Sequence, residues 1–149
     1  LKKKINMKIH KFDTIYPRTL WIVNVSNEDP LNLLKKFYFV KNTPGWNELD
    51  DNIQNELDEV SQSAIAGCYP VQETSTGNLG MMLIIFRISD MSTDIIAHES
   101  VYIADYYFQV TGCNSEDFTE GNEAYAYLVG WAAGRIANVL IKENNGKTE

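Results

Sequence analysis

The stretch "GMMLIIF", Gly80 to Phe86, places the tightest constraint on what this chain can fold into, because it contains no polar side chain. A strand with one wet face would show a polar residue at every second position. Preceded by the turn-rich "STGN", residues 80 to 88 read as a strand covered on both faces, with residues 69 to 74 as a second strand across that turn. Such a strand needs neighbours in a sheet and a packed layer on each side. At 149 residues the chain is long enough to supply them within one domain.

The rest of the chain offers the other elements. "TLWIVNV", residues 19 to 25, is β-branched and aromatic and reads as a strand. In "NEDPLNLLKKFYFV", Asp29-Pro30 suits the opening of a short helix, and Phe37 to Val40 look extended. From Trp46 to Ala66 the apolar residues Leu49, Ile53, Leu57, Val60 and Ala64 recur at helical spacing, with Pro44 before and Gly67 after. The acidic residues on the outside of that helix, Glu48, Asp50, Asp51, Glu56, Asp58 and Glu59, read as a solvated surface. Two further helices are expected at about 92–110 and 122–141, with 1–11 and 142–149 as flexible tails. Strands in front and helices behind, with no repeat and no linker, predict one α+β domain with a small mixed or antiparallel sheet.

Charge narrows the partners. The net charge is -7, and the basic residues gather only at Lys2, Lys3, Lys4, Lys8 and Lys11 and at Lys35-Lys36. Binding to a phosphate backbone without a metal calls for a basic patch, so nucleic acid is not the expected partner. No uninterrupted apolar run of 18 residues occurs, so no membrane partner is expected. "LKKKINMKIHKF" lacks the apolar core of a signal peptide, and Met7 is a candidate start. Cys68 and Cys113 form neither a disulfide framework nor a metal clip. The expected setting is the reduced cytoplasm.

The helix at 92–110 carries the chemistry. At 100° per residue, Ala97, Val101, Ala104 and Phe108 form an apolar stripe expected to face the core. His98, Tyr102, Asp105 and Gln109 form a polar stripe beside it, at the margin where a cleft can open. Ser92 or Thr93 can cap the helix start, with Asp94 favourable against the dipole. In H-E-x-x-H, two imidazoles on one face reach a single zinc ion and the Glu serves as general base. Here His98 and Glu99 are present, and position 102 is Tyr. In the last helix, Ala126, Gly130 and Gly134 leave a groove of small side chains near Glu123. Glycines inside a helix each cost about 1 kcal/mol relative to Ala, so another element is expected to pack there. If that element is the helix at 92–110, Glu123 comes near His98 and Glu99.

With "AHESVY" on one helix and "NEAYAYLVGW" on the next, the chain resembles the zincin metallopeptidases of the gluzincin type, in particular small zincin-like proteins of bacteriophages and mobile elements. The resemblance covers roughly residues 80 to 131. It implies an α+β zincin-like fold in the cytoplasm of a bacterial host cell. His98, Tyr102 and Glu123 would be zinc ligands, Glu99 the general base, and Asp105 and Tyr127 supporting residues around them. Tyr102 weakens the set, because a phenol must lose a proton near pH 10 before it binds zinc as phenolate. Two functions stand side by side: a zinc peptidase with a remodelled site, and an inactive pseudo-peptidase that binds a peptide or protein. A phage or mobile-element accessory protein is the third. In the peptidase reading, residues 79 to 86 would be an edge strand that pairs with substrate; the same apolar run also suits a central strand.

Overall fold

In the computed structural model, residues 7–43, 46–114 and 122–145 are described. They fall into two compact units, Leu1–Asp90 and Met91–Glu149. The first holds the strands β1 (Ile9–Asp13), β2 (Thr19–Asn24), β3 (Phe37–Thr43), β4 (Trp46–Leu49), β5 (Ala66–Glu73) and β6 (Leu79–Ile85), with helix α1 (Ile53–Ser63). The second holds two long helices, α2 (Thr93–Thr111) and α3 (Glu123–Asn145). The fold is α+β, with a mixed sheet.

β6 lies inside the sheet order β1-β2-β6-β5-β3, and β4 folds back on β3. Its neighbours are β2, parallel to it, and β5, antiparallel. Met82 to Ile85 are fully buried, as the unbroken apolar run requires. Each such side chain is worth about 1.5–3 kcal/mol relative to exposure, before conformational entropy is subtracted. The edge-strand expectation therefore fails: both hydrogen-bonding sides of β6 are taken, and no substrate strand can add there.

One sheet face is a continuous apolar cluster in which Trp21, Val23, Val71, Met82 and Ile84 meet Leu33, Ile53 and Leu57. Trp21 and Phe37 meet edge to face at 5.2 Å, a geometry aromatic quadrupoles favour. The alternating residues Leu20, Ile22, Leu83 and Ile85 point to the opposite face and are equally buried. Gly80 has a specific reason to lack a side chain, since a Cβ there would lie 1.9 Å from the carbonyl oxygen of Thr19.

Several local expectations change. Residues 9–11, expected in a tail, belong to β1, where His10 is buried while Lys11 faces solvent. That alternation is a strand's signature, masked in the sequence by the lysines around it. The expected 46–66 helix is a strand followed by a shorter helix. Leu49 fits the helical spacing but sits in β4 paired with Val40, and its side chain is exposed. Pro44 lies outside the described residues. The short Pro30–Lys35 helix is 3₁₀, opened by the Asp29 carboxylate accepting from the Leu31 N–H. By length and average apolarity α3 is also long enough to cross a membrane, which a search for unbroken apolar runs overlooks because Arg135 and Asn138 interrupt it.

α2 ends at Gly112, whose left-handed φ of 72° lets the Gly112 and Cys113 N–H groups close on the last-turn carbonyls. The carboxyl-terminal half of α2 packs against the amino-terminal half of α3. Phe108 meets Tyr125 at 5.2 Å and Tyr107 meets Trp131 at 6.5 Å, so the pair forms an antiparallel hairpin.

Candidate functional site

The buried residues of α2 are Glu99, Ser100, Ile103, Ala104, Tyr106, Tyr107 and Phe108. At 100° per residue their centre lies about a quarter turn from the expected Ala97–Val101–Ala104–Phe108 stripe. Ala97 is exposed and Val101 is 42% exposed. The reason is side-chain size. Tyr106 and Tyr107 bury large ring surfaces, which counting tyrosine as polar conceals. The rotation carries His98, Tyr102, Asp105 and Gln109 from the expected cleft margin to open solvent.

His98 and Tyr102 do share one helical face, with ring centroids 4.9 Å apart and edge to face. Glu99 stands 100° round the helix from His98, the offset that the H-E-x-x-H spacing itself gives its Glu. Glu99 is only 6% exposed, and Tyr102 is 52% exposed.

Glu123 is exposed at the first turn of α3. Its position along α2 follows from the bond between the Tyr125 hydroxyl and the Asp105 carboxylate, 2.7 Å long. In an antiparallel pair with Tyr125 opposite Asp105, Glu123 stands opposite about position 107. That is roughly 13 Å along the axis from His98 at 1.5 Å per residue. Helical side chains also lean toward their own amino terminus, which here moves His98 and Glu123 apart. Among the described residues no three His, Cys, Asp or Glu side chains gather closely enough to hold a metal ion. The structure thus brings His98 and Tyr102 together on one face of α2 and places Glu123 apart from them along the helix axis.

Asp105 was expected to orient His98 or Tyr102; its recorded partner is Tyr125. Partial burial, and then the Asp105 acceptor, push the Tyr125 phenol up to about 12. Tyr127, expected beside Glu123 as a supporting group, is 72% exposed. Ser92 occupies the cap position but bonds the Asp94 carboxylate instead of a backbone N–H, and that bond holds the Asp94 carboxyl below its usual range.

The small-residue stripe is also placed differently. α3 buries Leu128, Ala132, Ile136 and Val139. Ala126, Gly130 and Gly134 fall on the opposite side at 100° per residue. A Cβ at Gly130 or Gly134 would meet nothing within 4 Å. No protein-family model, curated protein or solved structure matches this chain.

Proposed function

We propose that this chain is a binding module for another protein, acting through the outward side of α3, rather than a zinc peptidase. The observation that carries this reading is the composition of that side. Between Glu123 and Lys142 the only charged residue is Arg135, and the outward positions include Ala126, Tyr127, Gly130, Gly134 and Ile141. Tyr127 and Ile141 are 72% and 57% exposed. Eighteen residues at 1.5 Å rise make a helical surface of roughly 27 Å. A surface helix normally keeps charged residues on its outer side, and an exposed apolar strip signals an interaction surface. The glycines leave holes, and Tyr127 and Ile141 offer knobs, so the partner is a protein element with complementary apolar side chains. A lipid surface is the less suited occupant, since a chain with net charge -7 is repelled by anionic headgroups.

Photo-crosslinking tests the reading. A photoreactive residue at Gly130, expressed in cells that naturally carry the gene, should give one discrete protein adduct. Tyr127→Glu should abolish it, and the same probe at the exposed Lys11 should not give it. Absence of a Gly130-specific adduct, or sedimentation of the purified protein with lipid vesicles in its place, refutes the proposal.

A further inference from the structure

The outward strip of α3 is complementary to itself. At 3.6 residues per turn, Glu123, Tyr127, Gly130, Gly134, Ala137 and Ile141 fall within a band of about 80°, on the side away from the buried Leu128, Ala132, Ile136 and Val139. Tyr127 and Ile141 are exposed bulky side chains toward the two ends of the band, and Gly130, Gly134 and Ala137 leave a hollow between them. A Cβ at either glycine would meet nothing within 4 Å, so neither residue makes room for its own chain.

Charge indicates what fills the hollow. The strip begins at Glu123, and Lys142 flanks its far end; both are exposed. Neither has an ion-pair partner among the described residues. They cannot meet within one chain, because a helix of 1.5 Å rise per residue holds them roughly 28 Å apart. A second α3 laid antiparallel brings them together twice. With Gly130 of one copy facing Gly134 of the other, Tyr127 stands opposite Ala137, and Glu123 stands opposite Ile141, beside Lys142. Each Tyr127 ring then enters the hollow of the other helix. The flexible four-carbon stem of each Lys142 carries its ammonium to the facing Glu123 carboxylate. A parallel pair would instead set Glu123 against Glu123. Arg135, the one charge between the two ends, lies about 120° round the helix from the strip and faces no like charge across it.

We infer that the partner on α3 is a second copy of this chain, paired antiparallel through this strip about a two-fold axis. The inference rests on the reading of α3 as a protein-docking surface. A helix about 10 Å across and roughly 27 Å long offers a footprint of roughly 270 Å² per copy, a fraction of the about 800 Å² of a standard interface. Each copy also carries a net charge of -7, which opposes pairing. The dimer is therefore weak and reversible, with a Kd on the order of 100 µM.

Sedimentation equilibrium of the purified chain tests it, with reductant present because Cys113 is exposed. A reversible dimer should predominate at about 1 mM, tenfold above that Kd. Tyr127→Glu and Ile141→Glu should stay monomeric there while keeping the native circular dichroism, since both side chains are exposed. Glu123→Lys and Lys142→Glu should each weaken pairing about threefold or more, from two like-charge contacts per dimer. An equimolar mixture of those two variants should regain it, because the mixed dimer holds two opposite-charge pairs. A native chain that is monomeric throughout overturns the inference. So does a dimer that survives Tyr127→Glu, or a mixture that pairs no better than the single variants. A monomeric chain that still gives a Gly130-specific adduct with a different protein overturns the self-pairing alone; one with no such adduct overturns the docking surface as well.

Discussion

Replacing Gly80 by Ala tests the central strand pair directly. β6 runs parallel to β2, with Gly80 opposite Thr19. A Cβ added at Gly80 would lie 1.9 Å from the Thr19 carbonyl oxygen and 2.7 Å from Cζ3 of Trp21. Neither neighbour can yield cheaply. The carbonyl is backbone, and Trp21 is 1% exposed and braced edge to face by Phe37. The two strands must separate by more than 1 Å at this point, well beyond a side-chain adjustment. Overpacking a tight core costs about 1–3 kcal/mol, and a backbone clash places Gly80→Ala at about 3 kcal/mol or more. With urea slopes of about 1–3 kcal/mol/M, the unfolding midpoint should drop by about 1 M or more. Urea melts of a Trp46→Phe, Trp131→Phe background would report through the fluorescence of Trp21 alone. Gly130→Ala is the control with opposite sign. Nothing lies within 4 Å of its Cβ, so the exchange gains up to about 1 kcal/mol of helix propensity, read by circular dichroism at 222 nm. A Gly80→Ala midpoint indistinguishable from native, or a loss in Gly130→Ala larger than in Gly80→Ala, would refute the reasoning.

Two further outcomes follow from the helix hairpin. Tyr125 should titrate near 12, read as the difference in 295 nm absorbance between the native chain and Tyr125→Phe, and Asp105→Asn should bring it back toward 10. Because the folded state raises this pKa, the stabilisation is complete below about pH 10 and fades as pH rises toward 12; a Tyr125 that ionises near 10 would sink the argument. Calorimetric titration should find no tight zinc in the native protein and a gain in Tyr102→His from two imidazoles at i and i+4. Glu123→Ala should leave that gain unchanged, and either tight native zinc or loss of the gain in Glu123→Ala would restore the three-ligand site.

What the sequence reveals here is whatever one segment decides on its own. The unpolar run of β6, the β-branched "TLWIVNV" and the helix expected at about 92–110 rest on local signals, and each element stands close to where those signals put it. The errors arise where two segments must be read together. Leu49 obeys a helical spacing, but its pairing with Val40 comes from the hairpin of β3 and β4, and the competing pattern is invisible until those strands meet. The facing of α2 depends on how much surface Tyr106 and Tyr107 bury, which follows from packing and not from their polar label. The placing of Glu123 beside His98 differs for the same reason. His98 and Tyr102 are a correct local prediction, four residues apart on one face. Glu123 is a prediction about register between two helices, and that register is expressed in the Tyr125–Asp105 bond, for which no spacing rule exists.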